Sequence, residues 1–391
     1  MSASYHPAAL TVLYLLAALL GLYLLFIFLA VIPFFQKQFL YAHNIHTLLW
    51  NDVNKPEKWG FAPGQVTPFK LTTADEETIY AWHILPLPVY LKNESAVSGQ
   101  KRGLAEDFPS TESFRLLKDD PEARLVLYFH GNAGHVAQAI RPMSYHALTD
   151  TSSYHVVAID YRGFGHSSGS PSEEGLIEDA SALVEWATKV AGIPSSRIVL
   201  LGQSLGTAVV SGVAEKYYSK DIEFAGIVLV AGFSDLATML SEYRIVGVVP
   251  VLAPFRYVPW LLRLLHRFVV DKWNSADRLG KIVDKTQTRL RLSLVHAKND
   301  KDIPCTEDDK LFKAAVCAAV GITDDNEFLK WKEERTVRKS EDAFVTTWKS
   351  TPNIIVRQEL FPYGGHNNIM GYAPVSLAIM RSFDLHGTAY A

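Results

Sequence analysis

The chain has 391 residues, 48% of them apolar, and a net charge of -3. That composition supplies a full core for one large domain or two ordinary ones. The charge offers no electrostatic footprint for nucleic acid. Two cysteines, Cys305 and Cys317, are too few for a disulfide framework. Their 12-residue spacing across an expected helix reads as two buried thiols.

The first 36 residues contain no Asp, Glu, Lys or Arg, and Thr11 to Phe35 is almost wholly apolar. A hydrocarbon layer about 30 Å thick needs roughly 20 apolar residues in a helix. The run exceeds that, and Gly21 and Pro33 are tolerated in membrane helices. It lacks the basic n-region, shorter apolar stretch and small-residue cleavage site of a signal peptide. Residues 1–36 are therefore expected to be an uncleaved single-pass anchor, bringing a lipid membrane as partner. Lys37 and Lys55 follow the run and lean towards a cytosolic domain. Asn93-Glu94-Ser95, a glycosylation sequon in an expected polar loop, leans towards a lumenal one.

Residues 37–65 read as a juxtamembrane connector and 66–391 as the main domain. Val66 to Thr72 and Thr78 to Leu85 are two expected strands around the turn Ala74-Asp75-Glu76-Glu77. Residues 91–122 are polar and charged, and are expected to form an exposed insertion. Apolar strands are expected at Arg124–Phe129, His155–Ile159, Arg197–Leu201, Phe224–Val230, Arg291–His296 and Ile354–Phe361. Glu173 to Val190 is an amphipathic helix with Leu176, Ala180, Leu183 and Val184 on one face. Strands alternating with helices predict an α/β fold: a mostly parallel sheet covered on both faces. Two stretches interrupt it, a cap insertion at 233–290 and a charged helical excursion at 322–352.

Ligands of such sheets bind at the carboxyl ends of the strands. Gly202-Gln203-Ser204-Leu205-Gly206 follows one strand and opens a helix, the pattern of a nucleophile elbow. A serine needs a base, and the base an orienting carboxylate. His366 follows the last strand in a Gly-Gly-His loop. Asp300 follows the penultimate one, nearer the strand end than its neighbour Asp302. The order Ser204, Asp300, His366 is the one this fold requires. The oxyanion donors are expected to be the amides of Leu205 and of Asn132, in His130-Gly131-Asn132 after the first long strand. His130 is expected to brace that loop, and Asp160 and Arg162 to tie the neighbouring one. No His-Glu-x-x-His spacing and no phosphate-binding glycine loop occurs, so neither metal nor cofactor is expected.

With these residues in view, the chain resembles the α/β-hydrolase superfamily over roughly residues 66 to 385. His-Gly-Asn-Ala-Gly at 130–134, Asp-Tyr-Arg-Gly-Phe-Gly at 160–165, Gly-Gln-Ser-Leu-Gly at 202–206 and Asp271-Lys272-Trp273-Asn274-Ser275 carry a narrower likeness. Together with the anchor they resemble the membrane-anchored monoacylglycerol and lysophosphatidylserine lipases of the α/β-hydrolase domain-containing 12 type. That resemblance implies a protein of the endoplasmic reticulum with a lumenal catalytic domain and an acyl lipid substrate. The chain departs from the likeness at 91–122 and 322–352.

Val246 to Val270 is apolar, broken by Pro250, Pro254 and Pro259, and flanked by Arg256, Arg263, His266 and Arg267. Prolines and arginines argue against a second span. The stretch reads as a cap that touches the bilayer and forms an acyl-chain channel. The whole reads as a membrane serine hydrolase of lipid esters. An acyl-protein thioesterase and a non-catalytic membrane scaffold of the same fold are the alternatives. The sequence names no protein partner.

Overall fold

The computed structural model describes residues 7–244, 250 and 252–384. Residues 245–249 and 251, part of the apolar run expected as a cap, lie outside the described residues, as do 1–6 and 385–391. Helix α1, Pro7–Ala30, has 24 residues. At 1.5 Å per residue it is about 36 Å long, enough to cross a membrane. Its apolar stretch Ala9–Ala30 is mostly exposed, with no residue fully buried and the last turns half-buried. The apolar run does not stay one helix to Phe35. Ile32 is extended (φ -87, ψ 122) and Pro33 starts a second helix, α2, Pro33–Leu40. A residue before proline is pushed out of the helical region, which explains the break.

Residues 41–64 are a packed segment rather than a free connector. Tyr41, Val53 and Phe61 are buried, and the Trp82 indole donates to the Val53 carbonyl. Strands β1, Val66–Thr72, and β2, Thr78–Ile84, form the expected antiparallel hairpin. The segment 91–122 departs from expectation. It folds as α3, Leu87–Lys92, α4, Glu94–Gly99, and α5, Glu112–Lys118. Val97, Phe108, Phe114 and Leu117 are buried, and Phe108 stacks on Phe69 with centroids 4.2 Å apart. Asn93 stands at the joint of α3 and α4, not on an open loop, and its amide donates to the Val89 carbonyl.

The alternating part follows: β3, Arg124–Phe129; α6, Arg141–Thr149; β4, Tyr154–Ile159; α7, Glu173–Glu185; β5, Ile198–Gln203; α8, Leu205–Tyr218; and β6, Gly226–Val230. Then come α9, Leu236–Glu242, α10, Ala253–Tyr257, α11, Pro259–Phe268, and α12, Ser275–Lys285. Only the first three are cap-like. α12 buries Leu279, Ile282 and Val283 in the main core, and its Arg278 pairs with Glu173 of α7 and Glu215 of α8.

Strand β7, Leu290–Ala297, and α13, Thr306–Val320, lead to α14, Asp325–Glu333. Cys305 and Cys317 are free thiols, half-buried rather than fully buried. The charged excursion is helical only in α14; it continues as β8, Thr336–Ser340, and β9, Ala343–Thr351. These extend the sheet beside β10, Ile354–Phe361, and put a charged edge strand towards solvent. α15, Gly365–Asn368, and α16, Ala373–Ser382, end the described chain.

The sheet order is β1-β2-β4-β3-β5-β6-β7-β10-β9-β8. The strands β4, β3, β5, β6, β7 and β10 are mutually parallel, as expected. Both faces are covered. Leu125, Leu127 and Phe129 of β3 join one apolar cluster, and Val126 and Tyr128 join the other. Burial on both faces is why these strands read as unbroken apolar runs. Replacing Phe108 by Ala should remove about 3–5 kcal/mol of stability, the cost of truncating a packed aromatic. Denaturant unfolding measures it; a change under about 0.5 kcal/mol would mean that 91–122 is a surface excursion after all.

Candidate active site

Ser204 stands between β5 and α8 with φ 52 and ψ -120, a backbone that L residues rarely hold. Two glycines make the turn possible. A Cβ at Gly202 would lie 2.4 Å from the Gly206 carbonyl oxygen. A Cβ at Gly206 would lie 2.0 Å from the Phe129 carbonyl oxygen of β3. The turn is further pinned by the Ser204 amide donating to the Val230 carbonyl, 3.0 Å. Its strain presents the hydroxyl beyond the sheet edge, at the positive end of α8.

The three expected residues arrive from three parallel strands. Asp300 follows β7, and His366 sits in α15 after β10. The His366 Nδ1 is 2.8 Å from Asp300 Oδ2. The other Asp300 oxygen accepts the amides of Asp302, 2.9 Å, and Ile303, 3.0 Å. Asp302 is thus part of the turn that holds Asp300, while Asp300 meets the imidazole. Burial works to raise the Asp300 pKa, but its bonds to His296 and His366 outweigh that and hold the carboxyl well below the usual carboxylate range. Ser204 and His366 line the same cavity.

Sequence reasoning missed what lies behind Asp300. His296, four residues earlier on β7, is fully buried. Its Nε2 is 3.2 Å from Asp300 Oδ2, and its Nδ1 is 3.0 Å from Asp308 Oδ1. Burial disfavours a charge on this imidazole, but the two carboxylates prevail and hold its pKa well above the ordinary value. The Gln203 amide was missed too. It donates to the His366 carbonyl, 3.1 Å, and to Asn367 Oδ1, 3.0 Å, tying the serine turn to the histidine loop. Asn299 does the same between the aspartate and histidine loops through the Gly365 amide, 2.8 Å.

The loop after β3 holds Asn132, the residue whose amide is expected as an oxyanion donor. His130 is buried, its Nδ1 2.7 Å from the Gly131 carbonyl oxygen; burial keeps its pKa well below the ordinary value, so it braces the loop as a neutral ring. Asp160 accepts the Val136 amide, and Arg162 pairs with Asp179 and Asp75, the structural roles expected of both. The organising group is one that the sequence did not flag. The buried Arg141 guanidinium donates to the carbonyls of Gly131, 2.8 Å, Asn132, 3.2 Å, Ala133, 2.7 Å, and His135, 2.6 Å. A trans peptide points its N–H opposite its C=O. Drawing the Gly131 carbonyl to Arg141 therefore turns the Asn132 amide the other way. Among the described residues the Asn132 and Leu205 amides donate to no other protein group. The Asn132 side chain reaches elsewhere, to the Leu40 carbonyl and the Ala42 amide.

These groups open into a cavity of about 1020 Å³. Its floor is Ser204, Leu205 and His366, its cap side includes Met239 and Leu265, and Phe39 and Leu40 of α2 form a third side. The α2 side is bolted to the cap. The Gln36 amide donates to the Phe268 carbonyl, 2.7 Å, and its oxygen accepts from the Val270 amide, 3.0 Å. The Tyr41 hydroxyl donates to Asp271, 2.7 Å, and accepts from the Trp273 indole, 3.1 Å. This gives the stretch Asp271-Lys272-Trp273 its physical task of receiving the segment that follows α1.

A family model described as "alpha/beta hydrolase fold" matches residues 124–263. The chain has the α/β-hydrolase fold. It is similar to human Protein ABHD12B, 32% identical over 264 residues, which are 66% of this chain and 60% of that protein. It is also similar to the rat Lysophosphatidylserine lipase ABHD12, 26% identical over 303 residues, 77% of this chain and 69% of the lipase. The chain thus spans about 60% of the length of the human relative it matches. An esterase structure from Pyrococcus furiosus aligns with a TM-score of 0.48 at 16% identity, covering 83% of this chain and 90% of that one.

The bolt between α2 and the cap of this hydrolase fold is testable by itself. Gln36→Leu should speed backbone amide exchange in 259–270 by roughly tenfold or more while the central strands keep their protection, because two backbone groups lose their partner. Unchanged exchange in that segment would mean that the bond contributes nothing to holding the cap.

Proposed function

We propose that the protein is a membrane-anchored serine hydrolase cleaving single-chain lipid esters, monoacylglycerols or lysophospholipids. The observation that carries this reading is the 2.8 Å contact of His366 with ionised Asp300, beside a serine on a strained elbow in the same cavity. The Ser204 Oγ attacks the acyl carbonyl as its proton passes to His366 Nε2. Asp300 holds the opposite N–H and stabilises the imidazolium. The Asn132 and Leu205 amides take the charge of the tetrahedral intermediate, at the N-terminal end of α8. The leaving alcohol takes the proton from His366. A water activated by the same imidazole then resolves the acyl-enzyme.

The substrate class follows from the walls and the anchor. Helix α1 is apolar and long enough to span. On α11, Trp260, Leu264 and Phe268 are 60%, 40% and 44% exposed and fall at i, i+4 and i+8, one stripe of the helix. Arg263 and Arg267 flank them. An exposed apolar stripe beside arginines supports a helix lying on the bilayer surface. The name of the rat relative, lysophosphatidylserine lipase, supports a lysophospholipid among the substrates. A lumenal domain in the endoplasmic reticulum is the location this reading adopts, from the resemblance.

The test is fluorophosphonate labelling of the full chain in membranes, followed by a panel of monoacylglycerols and lysophospholipids. Wild type should label and Ser204→Ala should not. Turnover in that variant should fall on the order of 10⁶-fold, the scale for removing a triad nucleophile. Well-folded wild type that does not label would overturn the hydrolase reading.

A further inference from the structure

We infer that the membrane anchor is itself part of the substrate site: the last turns of α1, with α2, wall the channel that a single long acyl chain occupies and enters from the bilayer. The inference deepens the hydrolase reading above and rests on it. The cavity that holds Ser204 is continuous with Phe26 and Ala30 of α1, as well as with Phe39 of α2. Phe26 lies four residues before the end of α1. At 1.5 Å per residue that is about 6 Å back along the helix, on the side of the hydrocarbon layer rather than of the aqueous domain.

Three features suit this wall to an acyl chain. First, it is fixed. Phe26 and Phe39 rings meet at 5.3 Å across the Ile32–Pro33 break, and α2 is held to the cap by Gln36 and Tyr41. Second, polarity runs the right way. Asn132, Gln203 and Asn367 belong to the loops that carry the proposed oxyanion donor, Ser204 and His366, whereas α1 contributes only Phe26 and Ala30 to the lining. An ester lipid matches this with its carbonyl at Ser204 and its chain towards α1. Third, about 1020 Å³ is at the upper limit of the roughly 300–1,000 Å³ usual for a small-molecule site, room for a long chain and the glycerol next to it. A helix that served only as a tether would have no reason to contribute side chains to the cavity of the nucleophile.

The experiment uses the full chain in phosphatidylcholine vesicles. The readout is the ratio of kcat/KM for monooleoylglycerol to kcat/KM for p-nitrophenyl acetate. Ala30→Trp fills the membrane end of the channel and should lower that ratio by about tenfold or more, since a hydrophobic pocket discriminates on that scale per group. Phe26→Ala enlarges it and should move the preferred chain to greater length across a monoacylglycerol series. Leu20→Trp, on the exposed part of α1 outside the cavity, should leave the ratio unchanged. A misfolded variant loses both substrates together and does not mimic a changed ratio. An unchanged ratio in Ala30→Trp with no shift in Phe26→Ala, or an equal fall in Leu20→Trp, overturns the inference. Wild type that turns over neither ester is a different failure: it removes the hydrolase reading and the inference with it.

Discussion

A serine at φ 52 and ψ -120 is held between two glycines whose positions leave no room for a Cβ. The geometry around it follows from that close approach. α8 packs with Gly206 against the carbonyl end of β3, which brings the serine turn beside the His130-Gly131-Asn132 loop. The two amides proposed as oxyanion donors therefore meet because a helix and a strand touch backbone to backbone. Arg141 completes the arrangement by drawing the loop's carbonyls to the opposite side.

The second constraint couples this site to α1 and α2. Two polar groups do the coupling: Gln36 on α2 and the Tyr41 hydroxyl just beyond it. Each bonds to the stretch from the last residue of α11 to the start of α12. A buried amide with both its groups paired specifies position more sharply than apolar contact does, since its loss leaves unpaired partners behind. These bonds join α2 to the cap beside the cavity that holds Ser204. Insertion of α1 into a bilayer would set the orientation of the cap and of the channel mouth together.

Much of this was legible in the sequence. Strands covered on both faces appear as continuous apolar runs, so their ends, and the residues following them, could be read directly. Ser204, Asp300 and His366 stand where those runs predict, and the structure brings Asp300, not Asp302, against the imidazole. Four things were hidden, each for a physical reason. In 91–122 the apolar residues Val97, Phe108, Phe114 and Leu117 are diluted by charge, so composition mistook a packed layer for an excursion. β8 is an edge strand with both faces largely wet, so its charges masked its pairing with β9. α12 followed an apolar insertion and was grouped with it, although its Leu279, Ile282 and Val283 belong to the main core. The roles of Gln36 and Gln203 are contacts to groups far along the chain, and Arg141 folds back on the carbonyls of the preceding loop; no periodic pattern encodes either.

The central claim is that Ser204 forms the covalent acyl intermediate. It is tested most directly by acid-quenching the full chain during steady-state hydrolysis of a lysophospholipid and weighing the peptide that contains Ser204. The account predicts that this peptide gains the mass of the substrate's acyl group, and that the gain disappears in Ser204→Ala. Continued turnover without acylation of that peptide, or with the acyl group on another residue, would contradict it.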